Sequence, residues 1–197
     1  CVASHPSTKK LFTKANIPVY LCSFLSKNGE FRDFEHVRIS TLGVIGALVK
    51  VPDTDIITSL LSSEIMPICL RAMENGTEMS RTVATFILHG LLQDPVGLQY
   101  ICHLPVRLFA VLQSLGNVVA SLSEKASARL LKQVVKCYLR FLDDRRSLMT
   151  LKSCFPKRLS DGTFEQCVRE DQALRMGLQR LLDNVRGSSI NRGGGIR

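Results

Sequence analysis

The stretch at residues 77–92, TEMSRTVATFILHGLL, constrains the fold most. Asn75-Gly76 ends whatever precedes it, and the Thr77 hydroxyl is placed to accept an orphan backbone N–H as an N-cap. Val83, Phe86, Ile87, Gly90 and Leu91 fall at i, i+3, i+4, i+7 and i+8, one face of a helix. Met79, Ala84, Leu88 and Leu92 make much of the remaining circumference apolar. A helix that is apolar nearly all round belongs inside a stack of helices, not on its surface.

The flanking stretches read as further copies of one short–medium–long unit. Residues 1–4 read as the tail of an earlier helix. Residues 6–15 and a helix capped by Asn16 follow; Lys27-Asn28-Gly29 and a charged loop then separate them from a long helix at 34–50. Residues 53–61, 63–74 and 77–93 form the next triplet, with Pro67 in a first turn, where proline is tolerated. Residues 95–102, 105–122 and 127–142 form another. Residues 145–155 start a fourth, and 164–185 hold two weaker helices beyond a polar break at 159–163. Gly43 and Gly46 cost their helix roughly 1 kcal/mol each against Ala, which predicts close approach of a neighbouring helix.

Arg38, Arg81 and Arg129 each stand near the start of a long third helix, 43 and 48 residues apart, and Ile17 and Ile65 open second helices 48 apart. A helical unit of about 40–47 residues is the signature of armadillo and HEAT arrays, and the short first helix favours armadillo. The alternative is an irregular all-α domain, since any helical protein shows some spacing coincidences. The expected fold class is therefore all-α, an armadillo-like helical repeat solenoid over residues 1–185. Residues 186–197 are expected to be a disordered tail containing Gly and Arg.

At 197 residues, 45% of them hydrophobic, the chain can bury one sizeable core, and with no Trp and few aromatics that core must be aliphatic. The longest apolar run, residues 42–49, falls far short of the ~18 residues of a membrane span, so no membrane partner is expected. The start, CVASHPSTKK, lacks a signal peptide's basic and apolar regions and has no initiator Met, so the chain is expected to begin inside a larger parent module. Seven cysteines, odd in number and without C-x-x-C spacing, sit mostly in apolar helical pattern. They read as reduced and buried, as in a cytosolic or nuclear protein. The net charge of +9 favours an acidic partner, nucleic acid above all.

No catalytic constellation stands out. His89 lies in the central helix and reads as a hydrogen-bonded core or groove histidine. Cys102 and His103, adjacent on a helix, point about 100° apart and chelate one metal poorly. Asp143-Asp144 run directly into Arg145-Arg146, which suits a charged corner between repeats. G-x-S-x-G, Walker A and dinucleotide fingerprints are absent. The expectation is a protein that is not an enzyme, with no metal and no cofactor. The strongest non-core feature is electrostatic: residues 125–158 carry ten Lys/Arg against two Asp. Among them Arg129, Lys132, Lys136 and Arg140, spaced 3, 4 and 4, form one stripe opposite Leu130, Val134 and Tyr138. On a solenoid's third helix such a stripe would line the inner groove, a track for phosphates or acidic segments. A solvated helix face accounts for it equally well. Poor aromatic interleaving argues against base stacking.

The strings STLGVIGALVK at 40–50, RTVATFIL at 81–88, GLQYIC at 97–102 and SARLLKQVVKCYLRFLDD at 127–144 carry a resemblance, joined by CVASHP at the start and SDGTFEQCVRED at 160–171. The chain resembles the Rcd/Caf-type ("required for cell differentiation") family, the armadillo-repeat subunit of the CCR-NOT deadenylase complex. The resemblance implies a non-catalytic adaptor that docks on the Not scaffold subunit and acts in mRNA decay and translational repression, in the cytoplasm, including P-bodies, and in the nucleus. It also implies convex-side pockets for Trp-containing or short helical peptides of repressor proteins. By motif, Val83, Arg107 and Arg146 fall on family peptide-binding positions, and Arg129, Lys132, Lys136 and Arg140 on the family's basic groove. Pro105 stands where the family usually has Tyr beside Arg107, so a pocket wall is expected to be lost. The family's N-terminal repeats, with much of the scaffold-docking surface, are expected to be missing. RNA or single-stranded nucleic acid, and a second copy of the chain, remain open as partners.

Overall fold

A computed structural model of the chain describes Ala3, residues 5–26 and residues 35–187. The expected ends of the chain, at residues 1–4 and in the tail at 186–197, and the loop after Ser26 lie outside these residues, except Ala3 and except Arg186 and Gly187, which end the last helix instead of opening the tail. Among the described residues every regular element is a helix, and the α-helices fall in triplets, the fourth with an added 3-10 turn. The first triplet is α1 (Pro6–Lys14), α2 (Ile17–Ser26) and α3 (Glu35–Val49), and the second is α4 (Thr54–Leu61), α5 (Ile65–Asn75) and α6 (Glu78–Gln93). The third is α7 (Pro95–His103), α8 (Pro105–Leu122) and α9 (Ala128–Phe141). The fourth is α10 (Arg145–Cys154), a 3-10 turn (Lys157–Leu159), α11 (Glu165–Glu170) and α12 (Gln172–Gly187).

Short polar residues set the starts. The side chains of Asp53, Thr77, Asp94, Ser127 and Asp144 each accept from a backbone N–H of the helix they precede, which satisfies donors the helix cannot pair itself. Pro95 and Pro105 open α7 and α8, where a missing N–H costs nothing.

The triplets stack by translation. Third helices pack in a row, α3 on α6, α6 on α9 and α9 on α12, while α2, α5 and α8 form a second row and α1, α4 and α7 a third. Polar ties across the seams keep the period. Thr54 Oγ1 donates to Asp94 (2.8 Å), Arg81 to Ser121 Oγ (2.9 Å), Ser114 Oγ to Glu74 (2.9 Å), and Ser80 Oγ to Glu35 (2.6 Å), between residues 40, 40, 40 and 45 apart. This is the all-α, armadillo-like repeat solenoid read from the sequence.

The core is aliphatic, as expected, and runs without a break along the stack. α6 is its centre: Ala84, Ile87, Leu88, Leu91 and Leu92 are fully buried. The expectation of burial all round is modified on one side, where Met79, Val83 and Phe86 reach partial exposure. α8 has the length and hydropathy of a membrane span, yet Leu108, Val111, Leu115 and Val119 are buried within the stack, against α5, α7, α9 and α10. The close approach expected at Gly43 is not there, since a Cβ on it would meet nothing within 4 Å. The tight seam lies one helix over. A Cβ on Gly90 of α6 would fall 2.7 Å from Val49 Cγ2. Gly46 lies against Phe86 and Val83 at ordinary contact distance.

Candidate functional site

The third-helix row presents two adjoining surfaces. The first is the half-open apolar lane on α6, Met79, Val83 and Phe86, with Gly46 of α3 beside it. The second is the cationic side of α9. His89 joins them. Its ring is 3.0 Å from Gln93 Nε2, and burial first, then the charges of Lys136 and Arg140, lower its pKa to about 4. It therefore stays neutral near pH 7 and adds no charge to the stripe.

The four stripe residues share one helix face but not one state. Lys132 Nζ lies 2.7 Å from Asp171, which also caps α12 by accepting from Leu174 N. Those hydrogen bonds hold the Asp171 carboxyl below the usual carboxylate range. Arg140 donates to the carbonyls of Leu92 (3.1 Å) and Gln93 (3.4 Å) and pairs with Asp143. Two of the four cations thus hold the fold together. Arg129, exposed, and Lys136, half-buried, are in no ion pair among the described residues.

The three expected peptide positions do not converge. Val83 lies in the apolar lane of the third-helix row. Arg107, at the start of α8, stacks its guanidinium over the Tyr100 ring, 3.6 Å from the centroid, and donates to the Tyr100 carbonyl. Pro105 serves as the opening residue of α8, and Leu104 and Val106 beside it are exposed. Arg146 lines an open cavity of about 300 Å³ between α7 and the α9–α10 corner. Pro95, Leu98 and Cys102 supply its apolar walls, and His103, Asp143 and Asp144 its polar rim. Of the α7 residues here, the sequence singles out Cys102 and His103 only as a poor metal-ligand pair, and Leu98 not at all. The Asp94-Pro95 signature places the start of α7, but no spacing rule links residue 98 to residue 146.

The thiols are poor nucleophiles here. Burial pushes Cys22, Cys69, Cys102 and Cys137 up, away from the thiolate form. Five described cysteines are buried and unbridged, and Cys154 is exposed and unbridged. Among the described residues no three His, Cys, Asp or Glu side chains gather as metal ligands.

Helices stacked by translation, with an apolar lane, a cationic stripe and a small side cavity on their surface, define a helical repeat solenoid of the armadillo type. The chain belongs to the Rcd1-like cell differentiation family, whose model matches residues 1–185. It is 46% identical over 185 residues to cell differentiation protein rcd1 of Schizosaccharomyces pombe, a match covering 94% of this chain and 65% of that protein. It is 47% identical over 183 residues to protein CAF40 of Saccharomyces cerevisiae, covering 92% of this chain and 49% of that protein. The family read from the motifs is thus the family found, and the chain spans less than two thirds of the length of each relative.

Proposed function

We propose that the chain is a non-catalytic adaptor of the CCR-NOT complex, acting in mRNA deadenylation and translational repression by holding short peptide segments. Family membership supports the complex, with the Not scaffold subunit as the docking partner. The observation that carries the peptide role is the Arg146 cavity: apolar walls, a polar rim and about 300 Å³ of space suit one flat aromatic side chain of a Trp-containing peptide. A short helical peptide would use the Val83–Phe86 lane instead, apolar face down. In this reading Arg107, held on Tyr100, gives an incomplete second pocket because Pro105 supplies no aromatic wall.

The chain contains no Trp, so the fluorescence of a Trp-containing repressor peptide can be followed without background. Binding should blue-shift the emission, Arg146→Glu should weaken it, and Pro105→Tyr should strengthen it. An unshifted spectrum with both the native protein and the Pro105→Tyr variant sinks the pocket reading. Retention of the chain on an immobilised Not scaffold fragment tests the complex, and no retention would remove the adaptor role. The proposed setting is the cytoplasm, including P-bodies, and the nucleus. Light scattering of the pure chain decides whether two copies associate.

A second reading, nucleic-acid binding along the α9 stripe, is favoured by one observation. Among the described residues Arg129 and Lys136 stand without ion-pair partners, on a face shared with the neutral His89.

A further inference from the structure

A different cationic surface lies on α10. From residue 145 to residue 160 the sequence has five cations and no acid: Arg145, Arg146, Lys152, Lys157 and Arg158. Four of them are exposed and Lys152 is half-buried. None is in an ion pair among the described residues; Arg158 acts only at longer range, on Asp161. The opposite side of α10 is fixed, with Ser147 and Leu151 buried and Ser147 Oγ donating to the Phe141 carbonyl at 2.7 Å. The charges therefore sit on a firmly seated ridge, in contrast to the α9 stripe, where two cations of four are consumed by internal bonds.

The ridge ends at a cavity. About 220 Å³ opens between the 3-10 turn, α11 and α12. Leu159, Phe164 and Leu178, all buried, form its floor, and Arg158 and Arg175 stand at its mouth. Glu165, the acid on its rim, is paired with Arg169. A mouth with two guanidiniums over an aliphatic and aromatic floor suits an apolar side chain whose neighbours are carboxylates.

We infer that α10, the 3-10 turn and the Phe164 cavity form a docking face for an acidic peptide segment that carries one apolar anchor residue. The acidic part lies along α10. Arg145 to Lys152 spans about 10 Å at 1.5 Å per residue, the length of three or four residues of extended chain. The anchor enters the cavity beyond. Peptide is favoured over nucleic acid because the ridge offers no exposed aromatic ring for a base to stack on. Phe155, the aromatic nearest the ridge, is half-buried and faces Tyr138 with ring centroids 6.3 Å apart. This face uses neither the Arg146 cavity nor the α9 stripe for its anchor, so it goes beyond the functions proposed above.

The test uses the full chain and a short fluorescein-labelled peptide of Asp and Glu with a single Phe, followed by fluorescence anisotropy. Saturable binding below about 100 μM is expected. The charge reversal Arg145→Glu/Lys152→Glu/Arg158→Glu should weaken it about tenfold or more, and replacing the peptide's Phe by Ser should cost a similar factor. Gln179→Trp, at the cavity rim, should match the loss of the Phe without touching the ridge. Arg129→Glu/Lys136→Glu should leave the affinity unchanged. Binding of the Trp peptide to the charge-reversed protein, in which Arg146 is intact, reports separately on the fold and on the Arg146 cavity. Absence of saturable binding, equal affinity for the Phe and Ser peptides, or displacement by oligo(A) RNA at lower concentration than by unlabelled peptide would each overturn the inference.

Discussion

Gly90→Ala isolates the seam on which the third-helix row depends. Two effects oppose each other. Alanine raises the helix propensity of α6 by about 1 kcal/mol over glycine. Against this, the new Cβ would lie 2.7 Å from Val49 Cγ2, 2.8 Å from Val49 Cβ and 3.1 Å from the Val49 carbonyl oxygen. Carbon atoms pack at about 3.5–4.0 Å, so α3 and α6 must part by about 1 Å. Val49 cannot swing away, because it is β-branched and 2% exposed, and one of the three atoms is backbone. Overpacking of this kind costs about 1–3 kcal/mol, and the rigid neighbour places it at the upper end. The net is a loss of about 2 kcal/mol. For a chain of this size that is a fall of about 4–8 °C in Tm, read by circular dichroism or calorimetry. If propensity alone governed, Tm would rise by about 2–4 °C. A Tm equal to or above that of the native chain refutes the steric account. The cycle with Val49→Ala sharpens it: removing the two γ-methyls, Cγ2 among them, should cost about 1 kcal/mol less in the Gly90→Ala background than in the native one, and strict additivity would show that the clash is not the cause.

Three other outcomes follow from the same geometry. His89 has its pKa lowered to about 4 by burial and by Lys136 and Arg140, against an ordinary 6.5 when unfolded. The unfolded chain therefore binds the proton first as pH falls, and stability should drop between pH 6.5 and 4; His89→Gln should flatten that part of the stability profile, and an unchanged profile would contradict the assignment. The Tyr138 hydroxyl is buried with no hydrogen-bond partner among the described residues, and burial raises its pKa above the usual phenol range. Tyr138→Phe should therefore leave stability unchanged or raise it by up to about 1 kcal/mol, while a loss beyond that in urea unfolding would mean the hydroxyl is bonded in solution. If single-stranded RNA binds the α9 stripe through the two unpaired cations alone, log K against log salt should slope at about −1.4, and a slope near −2.8 would show all four engaged.

The fold was largely legible because each of its determinants is local. Thr77, Asp94 and Ser127 cap the helices they precede, Pro95 and Pro105 open theirs, and the recurrence of Arg38, Arg81 and Arg129 marks the repeat. The misplaced detail, close approach at Gly43 instead of Gly90, shows the limit. A glycine's cost in a helix is local, but what lies opposite depends on the rotation of a second helix, and Val49 is 41 residues away from Gly90.

The same limit divides the candidate sites. Spacings of 3 and 4 place Arg129, Lys132, Lys136 and Arg140 on one face with certainty, because one helix sets them. Whether each charge is free is decided by the next repeat. Lys132 meets Asp171, 39 residues on, and Arg140 meets the Leu92 carbonyl, 48 residues back. Both ties bridge neighbouring third helices at close to the repeat length. A cation at such a position in a solenoid is therefore as much a seam residue as a ligand residue. The α10 cations escape this because their helix turns its charged side away from the helices it packs on. Position in the triplet does not decide it, since Lys10 on α1, also a first helix, pairs with Asp53 and Asp55 of the next repeat; charge available to a partner is set by what the adjacent repeat places opposite each cation.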